Sequence, residues 1–258
     1  LITSKAFRFN VFNSNIYGEQ NLNSKGLLAF ESLCNINNCR FEYLNSAFTY
    51  FLLNGIYAQQ EIRNSQFIKC KTSINMNGAN VKVKNCLFNW FGRYGDIGIR
   101  SLSSGGGDVF LDNTFQLPSN PFNNNISKSL QYVGKDAKIY RNIFVDGNVA
   151  IDNKDGNLFL ECNNFQSWTF RELSHNAINS KNGALYLNTG RNLFAHYKTY
   201  LNTNNSRLFL NNGSNLFLLG NPSQYFFKCD LEYRSAVNNI QLSSNHTVSP
   251  ASYNTYAF

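Results

Sequence analysis

The stretch GNLFLECNNF, Gly156 to Phe165, sets an apolar alternation against a doubled Asn and then a Phe. The same phrase returns as DVFLDNTF (108–115), GALYLNTGRNLF (183–194) and SRLFLNNGSNLF (206–217). Anchoring on a Phe two or three places after an Asn gives Phe12, Phe41, Phe67, Phe88, Phe115, Phe144, Phe165, Phe194 and Phe217. Their spacings run from 21 to 29 residues. The matching asparagines are Asn10, Asn38, Asn64, Asn85, Asn113, Asn142, Asn163, Asn192 and Asn215. In five repeats an aliphatic residue (Ile74, Ile99, Ile151, Ile178, Leu201) precedes the Phe by 14 or 16 residues, with a polar turn and an alternating strand between them.

Each repeat therefore holds about three short strands of period two, separated by turn residues. Such a unit cannot bury its apolar face alone and must stack on copies of itself. The repeat has no helical stretch, and it is too short for a four-stranded propeller blade of roughly 40 residues. One turn of a parallel β-helix fits, with turns about 4.8 Å apart. Asn suits the sharp bend because it tolerates left-handed backbone angles, and stacked Asn amides can hydrogen-bond from turn to turn. The Phe points inward and stacks. Early repeats read N-x-x-F (NCRF, NSQF, NCLF) where later ones read N-x-F, so the Asn ladder is expected to be interrupted near Asn85.

Composition agrees. About one residue in six of the 258 is Asn, and charged residues are only 15% against 15% aromatic, the reverse of a disordered chain. Asn, Gly, Ser and Thr are poor helix-interior residues, so long helices are not expected. The net charge is +8, but Lys and Arg are scattered singly, which argues against a nucleic-acid partner. No apolar run approaches membrane-spanning length, so no membrane insertion is expected.

The six cysteines form no C-x-x-C pair, which argues against a zinc ribbon or redox motif. Cys39 and Cys86 would lie two turns apart, too far for a disulfide, and the thiols read as small core residues. Cys34 and Cys39 are the one pair that local spacing would allow to bridge. Four N-x-[ST] sequons, at Asn125, Asn204, Asn212 and Asn245, carry no weight in so Asn-rich a chain.

The recurring apolar-x-apolar, Asn, Phe phrase, from about Asn10 to Phe217, resembles the right-handed parallel β-helix (pectin-lyase-like) superfamily. The resemblance implies an all-β solenoid, here of about nine or ten coils and roughly 40 Å long, as a single domain over residues 1–258 of a longer protein. No amphipathic helix caps the first coil near Leu1. A flanking domain or partner is therefore expected to cover an end that would otherwise expose strand edges. Enzymes of the superfamily that cut acidic polysaccharides carry an N-T-D with a D-D pair and G-H, or an Asp-rich calcium cluster. This chain has neither pattern. Asp108 with Asp112 and Asp152 with Asp155 are the tightest acidic pairs, and the second lies in a turn where Asp is ordinary. Asp146, Ser167 and His196 fall in one column, but Ser in the middle is the wrong order for a triad. No catalytic residue, metal ligand or cofactor is assigned.

The coil lengths carry the functional lead. Three coils take seven residues from the anchor Phe to the next aliphatic landmark, whereas insertions lengthen Phe88 to Ile99, Phe115 to Leu130 and Phe165 to Ile178. The insertions read NWFGRYGDIG, QLPSNPFNNNISKS and QSWTFRELSHNA, and should emerge on one side of the solenoid. Both tryptophans of the chain lie there, and the candidate ligand-binding set is Trp90, Arg93, Tyr94, Asp96, Trp168, Arg171, Glu172 and His175. The expected role is an extracellular or cell-surface module, a rigid spacer or adhesin binding carbohydrate or another protein. Alternatives are a polysaccharide lyase or hydrolase of the same superfamily, and a structural fibre, spike or scaffold component.

Overall fold

Alternation along a strand sends every second side chain inward. Three such strands per repeat close a triangular turn only if sharp corners join them. The computed structural model describes residues 2–4, 8–19, 23–52, 59–78, 80–89, 97–102, 106–117, 127–167, 176–187, 190–209, 215–218, 225–228 and 232–234. They form three parallel sheets of ten, ten and nine strands. Each sheet takes every third strand of the chain, as a parallel β-solenoid requires. We call the sheets A, B and C in the order the chain visits them. One turn comprises Val149–Lys154 in A, Asn157–Glu161 in B and Asn164–Gln166 in C. The stretch Ile2–Ser4 and Arg8–Phe12 supplies the first strands of A and B.

The core is a set of columns. Phe41, Phe67, Phe88, Phe115, Phe144, Phe165, Phe194 and Phe217 lie in register in sheet C and are fully buried. Successive rings are 4.6–5.0 Å apart and within 8° of parallel, a spacing dictated by the strand separation. Sheet A answers with Leu27, Phe48, Ile74, Ile99, Leu130, Ile151, Ile178 and Leu201, also in register and buried. Gly156 lets two walls approach: a Cβ there would stand 2.5 Å from Tyr132 Cε1.

The corner between sheets B and C has two positions. The first holds left-handed backbone: Asn13, Asn38, Asn64, Asn85, Asp112, Arg141, Cys162 and Arg191 all have φ between 50° and 60°. The second is the residue that follows. In later turns it is Asn113, Asn142, Asn163, Asn192 and Asn215, all buried. Asn163 Oδ1 accepts from the Asn142 backbone N–H (3.0 Å) and side chain (3.1 Å). Its Nδ2 donates to the Ile139 carbonyl (2.7 Å) and to Asn192 Oδ1 (3.0 Å). In earlier turns the second position holds Ser14, Cys39, Ser65 and Cys86, whose short side chains donate to the carbonyl two residues back. Asparagine amides there link through the first position instead, as in Asn85 to Asn64 (2.9 Å) and Asn38 to Asn13 (2.8 Å).

Two expectations are corrected, and one holds for a different reason. Phe12 is not the first anchor: it pairs with Asn37 in sheet B and is 46% exposed. The anchor position of that turn is Ile16, in register with Phe41 and three residues after left-handed Asn13. The change from N-x-x-F to N-x-F does not alter the bend, because Phe67, Phe88 and Phe115 stay in register. The Asn moves one position along an unchanged corner, from the exposed site to the buried one, so the exposed ladder ends at Asn85 and the buried one begins at Asn113, the interruption expected there. Cys34 and Cys39 do not bridge. Both are buried free thiols, in a strand and in the corner respectively, and burial pushes Cys34 up to about 12.

Removing one buried amide should unsettle two turns at once. Asn163→Ala is expected to destabilise the fold by roughly 3 kcal/mol or more, since four hydrogen bonds are lost and their partners stay buried. The exposed Asn38→Ala should cost only about 1 kcal/mol, the backbone penalty for a left-handed Ala. Denaturant midpoints with matched slopes would measure both, and equal losses would show that the buried ladder adds nothing.

Candidate functional site

The three insertions leave the solenoid at one corner. They join Leu87–Asn89 to Ile97–Leu102, Thr114–Leu117 to Lys128–Val133, and Asn164–Gln166 to Asn176–Lys181, in each case sheet C to sheet A. The intervening corner at Val145-Asp146-Gly147-Asn148 is short and closes with left-handed Asp146 (φ 56°) and Gly147 (φ 79°). A common exit follows from the inward column of sheet A, which stays in register on either side of every insertion. Trp90, Arg93, Tyr94, Asp96, Trp168, Arg171, Glu172 and His175 themselves lie outside the described residues. Their insertions leave three turns apart, about 14 Å along the axis.

Beside that edge lies the outer face of sheet A. The residue after each aliphatic landmark points outward, giving one column that runs Leu28, Thr49, Asn75, Arg100, Gln131, Asp152, Asn179, Asn202. A shallow cavity of about 310 Å³ covers its first half, lined by Lys25, Ser46, Thr49, Asn75 and Arg100 together with the apolar Leu28 and Phe51. Ser46 and Thr49 share a hydrogen bond of 2.6 Å. Among the described residues no carboxylate lines this cavity, and Lys25 and Arg100 give it positive character. Further along, Lys128 is paired with Asp152, and Asn202 donates to Asn179 (3.1 Å). The arrangement presents planar amides, hydroxyls and a guanidinium at one-rung intervals, which can hydrogen-bond a repeating polar ligand.

Sequence reasoning assigned the insertions and passed over this column, because polar residues on a strand read as ordinary solvated surface. The signal was present: once Ile74 and Ile99 are aligned as inward landmarks, Asn75 and Arg100 must share the outward column.

The other acidic and nucleophilic groups resolve individually. Asp155 is an exposed turn residue with φ 66°, bonded to Asn182 Nδ2 (3.0 Å), and Asp112 pairs with Arg141 at 2.7 Å. Ser167 Oγ makes no hydrogen bond, so no base activates it, and the column Asp146, Ser167, His196 does not form a triad. Among the described residues no three His, Cys, Asp or Glu side chains converge on one point.

Asp108 differs. It is fully buried in the inward column of sheet B between Val81 and Ala137, accepting from the Val81 N–H (2.6 Å) and Ser101 Oγ (2.9 Å). Desolvation outweighs both bonds and raises its pKa from 3.8 to about 7.

No protein-family model matches the chain, and no curated protein or solved structure matches it. The fold itself defines the class: a parallel β-solenoid.

The Asp108 carboxyl is harder to ionise folded than unfolded. Its ionised form therefore weighs against folding, and stability falls as pH rises from about 4 to about 7, by up to a few kcal/mol. Asp108→Asn, whose Oδ1 can still accept from the Val81 N–H while its Nδ2 donates to the Ser101 hydroxyl, should flatten that slope and be the more stable protein at pH 8. Thermal melts from pH 5 to 8 on both proteins test this, and parallel pH profiles would refute the assignment.

Proposed function

We propose that this chain is a rigid surface module that binds an extended glycan along the outer face of sheet A, with the Trp90 and Trp168 insertions gripping it at the edge. The observation that carries the reading is the outward column of Thr49, Asn75 and Arg100 in a cavity that Lys25 and Arg100 make cationic, beside the corner from which the aromatic insertions leave. A polymer of polar units lying along the axis meets a fresh hydrogen-bonding group at every rung, and aromatic side chains offer faces to sugar rings. Lys25 and Arg100 favour glycans that carry acidic groups. A stiff solenoid with one binding face suits a spacer or adhesin. Membership of the pectin-lyase-like superfamily and an extracellular or cell-surface location belong to the same proposal, carried by the resemblance of the repeat phrase.

A glycan array on the parent, Asn75→Ala/Arg100→Ala and Trp90→Ala/Trp168→Ala tests the reading, with far-UV circular dichroism to confirm folding. The expected result is binding by the parent and a loss of about tenfold or more in each folded variant, from about 1–3 kcal/mol of lost contacts. Absence of binding by the parent, or undiminished binding by both variants, would overturn it. Release of new reducing ends or unsaturated product from a bound glycan would make the chain a lyase or hydrolase instead.

A further inference from the structure

The two ends of the core are unlike. In the inward column of sheet C, Phe217 at one end is fully covered, whereas Ile16 at the other is only half-buried. Phe9 and Val11 of sheet B are half-buried in the same way, although Cys34 and Ile36, which follow them in their columns, are buried. The first turn therefore leaves the apolar core open at its end. Of the three large apolar side chains exposed among the described residues, Phe12 (46%) and Tyr17 (60%) lie on this turn. Arg8–Phe12 is the edge strand of sheet B there. The Asn13 N–H donates to the Asn37 carbonyl on the second turn (3.2 Å). Alternation along the strand then turns the backbone N–H and C=O groups of Arg8, Asn10 and Phe12 the other way, off the end. An edge of that kind is a template for one more strand.

We propose that this open end is a contact between two copies of the chain, joined by antiparallel pairing of Arg8–Phe12 with itself about a two-fold axis at Asn10. The residues of the strand select that occupant. On the outer face, Arg8 stands opposite Phe12 of the second copy and Asn10 opposite its own counterpart. No like charges meet, and the guanidinium gains an aromatic neighbour. On the inner face Phe9 stands opposite Val11, so each copy closes the other's core. The three outer pairs are of the hydrogen-bonded kind, because their N–H and C=O groups point across the axis. A head-to-tail stack would need the far end open as well, and Phe217 is covered there. An isologous pair uses the open end alone. The end face is only three strands of three to five residues, well below the roughly 800 Å² per partner of a stable complex, so association is weak and concentration-dependent.

Sedimentation velocity on the 258-residue chain, from about 10 μM to about 1 mM, should show monomer passing to dimer and nothing larger. Asn10→Pro removes an N–H that points off the end, a place where an edge strand tolerates proline. It should weaken association at least about tenfold. Cross-linking reads the register. Hydrogen-bonded antiparallel pairs hold Cα atoms about 5.5 Å apart, within disulfide reach. Asn10→Cys should therefore form a covalent dimer under mild oxidation, well beyond the parent. Arg8→Cys should not, because its counterparts lie roughly 14 Å apart in the same pairing. A parent that stays monomeric throughout, or species that keep growing beyond the dimer, would overturn the proposal. So would an Asn10→Pro dimer as strong as the parent's, or equal cross-linking of the two cysteine variants, with circular dichroism showing each variant folded.

Discussion

The structure depends on a corner that turns the chain from sheet B to sheet C and ties each turn to the next. One residue takes a left-handed backbone, and the next sends a side chain inward where water cannot satisfy it. In the later turns that side chain is an amide, and its geometry answers every demand at once. Its oxygen takes the backbone and side-chain N–H groups of the preceding turn, while its nitrogen reaches a carbonyl of that turn and the amide of the following one. A buried polar group left unpaired costs about 1–3 kcal/mol. The ladder is therefore stabilising as a whole and penalises any break.

Once the corner is fixed, the rest follows from spacing. Equivalent residues lie one strand separation apart, so Phe stacks on Phe and aliphatic on aliphatic, and the inner wall needs only size and apolarity. The outer wall is free of that demand, and there the three sheets diverge: a polar column on A, charges of both signs with an aromatic stack on B, and few charges on C. Function in such a molecule is written on faces and in lengthened corners, since the core is committed to stacking.

The fold was legible because its cause is periodic. The Phe and aliphatic landmarks in the sequence are the inward columns of sheets C and A, and the three insertions do share one corner. Misreadings arose where chemistry substituted without changing geometry. A search for Phe cannot see Ile16 at the anchor, and so settled on Phe12 one sheet away. A search for Asn cannot see that Cys86 and Asn113 occupy one position, since neither spacing reveals which corner site is left-handed. Asp108 was legible only as an acid near another acid; its burial depends on the alternation of sheet B, which places it inward beside Val81 and Phe110. The insertions announced themselves by length, but period says nothing about how their side chains are arranged.

Residue-resolved hydrogen exchange tests the central role of the corner most directly. If the buried amide ladder holds successive turns together, the backbone amides of Cys86, Asn113, Asn142, Asn163 and Asn192, each donating to the Asn side chain of the next turn, should be among the slowest to exchange. They should exchange more slowly than Cys39, whose N–H is held by the Ser65 hydroxyl, and Gly183, held by the Ser206 hydroxyl. Exchange of the Asn-ladder amides as fast as that of Cys39 and Gly183 would contradict the account.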